Sequence, residues 1–162
     1  DQASDGLQAS LIVAAIRELW EETGLVLGDP DPWPGAIPPD WQGFAATGCL
    51  PSARGLQYVF RALTPPGRPR RFDARFFLVD ADQIVGDLDD FSQASDELSH
   101  LQWIQLSQAR QFDLPFITEV VLAEVAACIT DLEPPSSVPY FRNSDEASLF
   151  LRLHGTDMHD AR

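Results

Sequence analysis

Hydrophobic and polar positions repeat with two different periods along the chain, and the changes of period mark its elements. At 100° per residue, Ile12, Ala15, Ile16, Leu19 and Trp20 fall on one arc, and Glu18, Glu21 and Glu22 on another. This predicts an amphipathic helix over Leu7–Thr23, stopped by Gly24, that buries Ile12, Ala15, Ile16 and Leu19 with Trp20 at the edge. "LVL" then begins an extended segment. Five prolines in "DPDPWPGAIPPD" (Asp29–Asp40) exclude a helix or a central strand and predict a loop. "LQYVFRAL" (Leu56–Leu63), "DARFFLVDA" (Asp73–Ala81) and "HLQWIQL" (His100–Leu106) read as strands. The first two flank the turn "TPPGRPRRF". A short helix is expected from Ser107, an apolar helix over Phe116–Thr130, and a closing strand at "SVPYFRN". No repeat or boundary divides the pattern, so residues 1–162 are expected to form one α/β or α+β domain.

Charge narrows the function classes. The net charge of −14 should repel nucleic acid, so no nucleic-acid partner is expected. All eleven basic residues are arginines, which excludes a lysine Schiff base and a Walker lysine. No apolar run approaches the ~20 residues of a membrane span, so no membrane partner is expected. Cys49 and Cys128 have no CxxC spacing and fit free thiols in a cytoplasmic protein. No G-x-S-x-G supports an acyl-enzyme.

The acidic arc is the feature that charge makes informative. One reading is a solvated face, with Arg17 and Glu21 paired at i, i+4. The other starts from the cost of three carboxylates in one turn at a helix C-terminus, where the macrodipole disfavours negative charge. A divalent cation offsets that cost: Mg²⁺ and Mn²⁺ take oxygen ligands and bridge them to substrate phosphates.

"RELWEETGL" (Arg17–Leu25) resembles the second half of the Nudix box, REUXEEXGU with U aliphatic, at every fixed position. "ALTPPGRPRRFDARFFL" and "DLPFITEVVLAEVAACI" resemble segments of uncharacterised bacterial members of the branch with insertions in the box. The resemblance implies an α/β/α sandwich with a mixed sheet. It also implies a Mg²⁺- or Mn²⁺-dependent hydrolase of nucleoside diphosphates linked to another group, such as a coenzyme A derivative or a nucleotide sugar. Glu18, Glu21 and Glu22 would be metal ligands and Glu18 would also assist the attacking water. Arg17 would orient a box carboxylate. The partner would be a small nucleotide-type substrate, and a homodimer is compatible with it.

The first half of the box departs from the pattern. Its glycine and glutamate fall on Ala3 and Ala9. The chain is therefore expected to be the later part of a longer polypeptide that holds the glycines and the first strands. Loss of that half also leaves open a non-catalytic nucleotide-binding or regulatory domain. A structural Ca²⁺ helix is a third reading, but it has no EF-hand loop.

Outside the box, Arg68, Arg70, Arg71 and Arg75 are the chain's basic cluster. They read either as a solvated turn or as a guanidinium clamp for substrate phosphates, in which Arg68, Arg70 and Arg71 are the candidates. Asp73 and Arg75 are expected to pair across the turn. Family members often take one more acidic residue from another loop; Glu97 is the first candidate and Asp96 the second. Trp33, Trp41 and Phe44 are expected to pack rather than stack a base.

Overall fold

The opening helical periodicity is realised as α1 (Asp5–Thr23) in the computed structural model, which describes residues 4–64, 67, 69–129, 136–143 and 148–154. Ser4 caps the helix, its Oγ accepting from the Leu7 N–H at 3.4 Å. Gly24, at φ 77°, ends it, and its N–H donates to the Trp20 carbonyl at 2.8 Å. Along the chain follow β1 (Val26–Pro30), α2 (Gln42–Ala45), β2 (Cys49–Pro51), β3 (Gln57–Leu63), β4 (Asp73–Leu78), β5 (Ile84–Val85), α3 (Phe116–Cys128), β6 (Ser137–Asn143) and β7 (Ser148–His154). Short 3-10 helices occupy Pro39–Trp41, Ala81–Gln83 and Leu106–Gln111. The architecture is mixed α/β with two sheets.

Contacts group the chain into two units. One takes in Ala3–Leu56 and Val79–Trp103; the other takes in Asp1–Gln2, Gln57–Leu78 and Ile104–Arg162. In the unit of α1, an antiparallel sheet runs in the order β2-β1-β5. Its core is Ile16, Val26, Leu27, Phe44 and Cys49, with Ile12, Leu19, Trp20, Trp33 and Trp41 packed against it. Ile16 is thus buried as its arc predicts, and Ile12, Ala15, Leu19 and Trp20 are half-buried. The aromatic residues near the proline loop pack rather than wait for a base. Phe44 is fully buried, Trp41 meets its ring edge-on at 5.3 Å, and the Trp33 indole donates to the Cys49 carbonyl at 3.0 Å. Gly28 lets β1 and β2 approach: a Cβ there would lie 2.5 Å from the Leu50 carbonyl oxygen.

In the other unit a mixed sheet runs β4-β3-β6-β7, with β3 and β6 parallel and the other pairs antiparallel. One face carries Val59, Phe60 and Ala62 against Val121 and Val125 of α3. The hairpin β3–β4 has a bulge between Tyr58 and Phe60.

Three expectations need correction. Residues 100–106 form no strand. His100 takes φ 62°, which breaks an extended run, and the Trp103 indole is spent on the Leu88 carbonyl at 2.8 Å. The helix expected from Ser107 is a 3-10 helix that begins at Leu106. Asp29 and Pro30 belong to β1, which is central in its sheet. Proline is tolerated because the neighbours flank different halves: β5 pairs with Val26–Leu27 and β2 with Gly28–Pro30. α3 ends at Cys128, and Thr130 lies outside the described residues.

Candidate functional site

The last two turns of α1 present the acidic arc as its periodicity requires. Glu18 and Glu22 are exposed and Glu21 is half-buried. Arg17 lies between two acids, its Nε 3.6 Å from Glu21 Oε1 and its Nη1 3.4 Å from Asp40 Oδ2. Asp40 closes the proline-rich loop and was not foreseen as a partner. Only the folded loop brings it back across 23 positions to the helix.

A second segment meets the helix end. Gly24 approaches it so closely that a Cβ there would lie 3.2 Å from both the Ala94 nitrogen and the Gln93 Cβ. The Ser95 N–H donates to the Glu21 carbonyl at 2.8 Å, satisfying one of the carbonyls that a helix C-terminus leaves open. This tie sets Glu97, two residues on, beside the arc. The Glu22 carboxyl is pushed above its ordinary value, first by partial loss of solvent and then by the negative charges of Glu18, Glu97 and Glu21. Carboxylates from two segments therefore act on Glu22.

All four are hard oxygen donors, the type that Mg²⁺ or Mn²⁺ selects. The donor type suits such an ion, but the placement of the side chains does not gather it. In their present rotamers, no three His, Cys, Asp or Glu residues among those described are drawn together closely enough to hold one.

The basic cluster is placed differently. Arg68, like the box position Ala3, lies outside the described residues. Arg70 and Arg71 are exposed in the turn of the β3–β4 hairpin, in the unit that does not contain α1. Arg75 is on β4, its side chain only 10% exposed, with Nη1 3.4 Å from Asp73 Oδ2. The expected Asp73–Arg75 pair exists, but along one strand. Across the hairpin, Asp73 takes Arg61, which donates from Nε at 2.8 Å and from Nη2 at 2.7 Å. A groove of about 490 Å³ beside α3, lined by Leu106, Leu114, Leu122, Ala126 and Ile129 among others, contains none of the predicted site residues. No helix among the described residues is long and apolar enough to cross a membrane.

No protein-family model, curated protein or solved structure matches the chain.

Proposed function

We propose that this protein is a Nudix-type diphosphohydrolase that cleaves the diphosphate linkage of a nucleoside diphosphate joined to another group. The finer fold, an α/β/α sandwich, is part of the same proposal. The observation that supports it is the action of Glu97 on Glu22 together with Glu18 and Glu21, beside the single guanidinium of Arg17. A solvated helix face alone gives no reason for a second segment to bring a fourth carboxylate to the same place.

Glu18, Glu21 and Glu22 would hold Mg²⁺ or Mn²⁺, which when bound supplies charge neutralisation at the diphosphate and a more acidic water. The chain's own residues do the rest. Arg17 holds Glu21 by its ion pair and limits the swing of that carboxylate. The Ser95–Glu21 backbone bond ties the segment that carries Glu97 to the end of α1. Glu18 accepts the proton of the attacking water, and Glu97 is the further acid from outside the box. The guanidinium clamp read at Arg68, Arg70 and Arg71 is a separate proposal, because Arg70 and Arg71 lie in the unit that does not contain α1.

The test uses the full-length polypeptide and a panel of nucleotide sugars, dinucleotides and coenzyme A derivatives with Mg²⁺ and Mn²⁺. Mn²⁺ binding is followed separately by calorimetry. Hydrolysis of at least one substrate, lost in Glu22→Gln together with Mn²⁺ binding, is expected. Failure of the whole panel, with no Mn²⁺ bound, overturns the reading in favour of a non-catalytic nucleotide-binding domain.

A further inference from the structure

β7 ends the four-stranded sheet, with β6 on one side and no strand on the other among the described residues. It pairs with β6 from Ser148 to His154 without a register shift. An edge strand of this kind offers a row of N–H and C=O groups to another chain, and proteins usually blunt it with proline, a bulge, a short strand or an inward charge. The strand "SLFLRLH" has no proline and no acid. Its one arginine is drawn onto α3, with Arg152 Nη2 3.6 Å from Glu124 Oε2. Phe150 and Leu151, at its middle, are 48% and 40% exposed. The opposite edge differs: β4 carries Asp73 and Arg75, and its pairing with β3 is bulged.

The two faces of β7 are distinct. The Phe150 ring lies 6.2 Å from that of the buried Phe60, and Arg152 reaches Glu124, so these two positions face α3. Leu151 and Leu153 alternate to the other face. The order of residues is self-complementary. An antiparallel copy centred on Leu151 sets Leu151 against itself, Phe150 against Arg152 and Leu149 against Leu153. Leu151 is the midpoint of the 7-residue strand, so this register alone pairs every position. The guanidinium then meets a phenyl ring instead of its own copy, a favourable cation–π pairing. On the other face leucine meets leucine, and such cross-strand pairs stabilise a sheet. A slip that centres the pair on Arg152 would set like charges opposite each other.

We propose that β7 is an interface strand, pairing antiparallel with β7 of a second copy of this chain about a two-fold axis at Leu151. The two four-stranded sheets then form one continuous sheet. Main-chain hydrogen bonds supply affinity, and the Phe150–Arg152 and Leu151 pairs supply register. The inference goes beyond the hydrolase reading and does not rest on it. Each copy carries a charge of −14. Salt at physiological strength confines that repulsion to about 8 Å.

The test is sedimentation of the full-length chain over a range of concentrations at physiological ionic strength. A reversible monomer–dimer equilibrium is expected. Leu151→Lys puts two like charges opposite each other at the axis and should weaken association about tenfold or more. Its urea midpoint at high dilution should stay close to that of the wild type, because Leu151 is already half-exposed. Register is read with a short bifunctional thiol reagent. Leu151→Cys should cross-link to its own copy. Leu153→Cys should not, because this register holds the two copies of that position four residues, roughly 13 Å, apart. The wild type controls for the chain's own two thiols. If Leu151→Lys does not fold, the cross-link decides. A chain that stays monomeric overturns the proposal and leaves the edge to an extended segment of another protein. A dimer that Leu151→Lys leaves intact, or one that fails to cross-link at Leu151→Cys, overturns it as well.

Discussion

Replacing Asp73 by asparagine removes one charge while keeping the size of the side chain. The carboxylate accepts two hydrogen bonds from Arg61, at 2.8 and 2.7 Å, and stands 3.4 Å from Arg75. Breaking a fully buried pair costs about 3–5 kcal/mol, while exposed pairs are worth about 0.2–1 kcal/mol. Arg61 is 19% exposed and Asp73 37%, so solvent screens the pair from the Asp73 side. A loss near 2 kcal/mol at neutral pH follows as an order of magnitude, in the range of hydrogen bonds to charged groups. That lowers Tm by about 4–8 °C for a chain of this size. The Arg61 hydrogen bonds first, then the charges of Arg61 and Arg75, hold the Asp73 carboxyl below its ordinary value against some opposing loss of solvent. The folded pKa is therefore the lower one, and between the two values the unfolded chain binds more protons. The stabilisation is complete above the ordinary aspartate pKa and disappears as pH falls through the depressed folded value. Urea unfolding of wild type and variant should differ at pH 7 and converge in acid. An equal gap at both pH values would mean that shape rather than charge is responsible, and no gap at pH 7 would refute the pair's contribution.

Glu22→Gln should cut hydrolysis by about a hundredfold or more, as loss of one key electrostatic group does. Its metal-free stability should hold or rise at neutral pH, and any gain should vanish as pH falls through the raised Glu22 pKa, where the wild-type carboxyl is protonated too. Joint replacement of Arg68, Arg70 and Arg71 by alanine should raise KM with little change in kcat, as loss of ground-state phosphate contacts does; an unchanged KM ends the clamp. Gly28→Ala should lower stability in chemical denaturation by about 1–3 kcal/mol, because the added Cβ meets backbone of β2 at 2.5 Å; an unchanged midpoint would show that the strands can part.

The elements legible in the sequence are those whose own residues set their period. α1 carries its arcs, its cap and its glycine stop, and the observed bounds exceed the reading by two residues at one end. The β3–β4 hairpin and β6 were likewise readable, because alternation there coincides with a partner strand. β2 and β5, of three and two residues, are too short to show a pattern and exist through pairing with β1. Residues 100–106 show the converse, alternation without a partner, ended at the start by His100 in a left-handed conformation. β7 was missed although Leu149, Leu151 and Leu153 alternate in the sequence; the polar residues after them hid the strand.

The two clusters differ in the same way. Glu18, Glu21 and Glu22 lie within one helical turn and a half, so spacing alone places them together, and Glu97 needed only one tertiary tie. The placement of Tyr58 near Arg61, Arg75 and Asp73 was hidden by a local irregularity. Strict alternation puts Tyr58 and Arg61, three residues apart, on opposite faces of β3. The bulge after Tyr58 adds one residue to the strand, so that Val59 and Phe60 both enter the core, at 3% and 0% exposure. Tyr58 is thereby turned to the same face as Arg61, Arg75 and Asp73. The bulge thus accounts for two facts at once: a core with two consecutive buried residues, and a phenol placed on the charged face of the sheet.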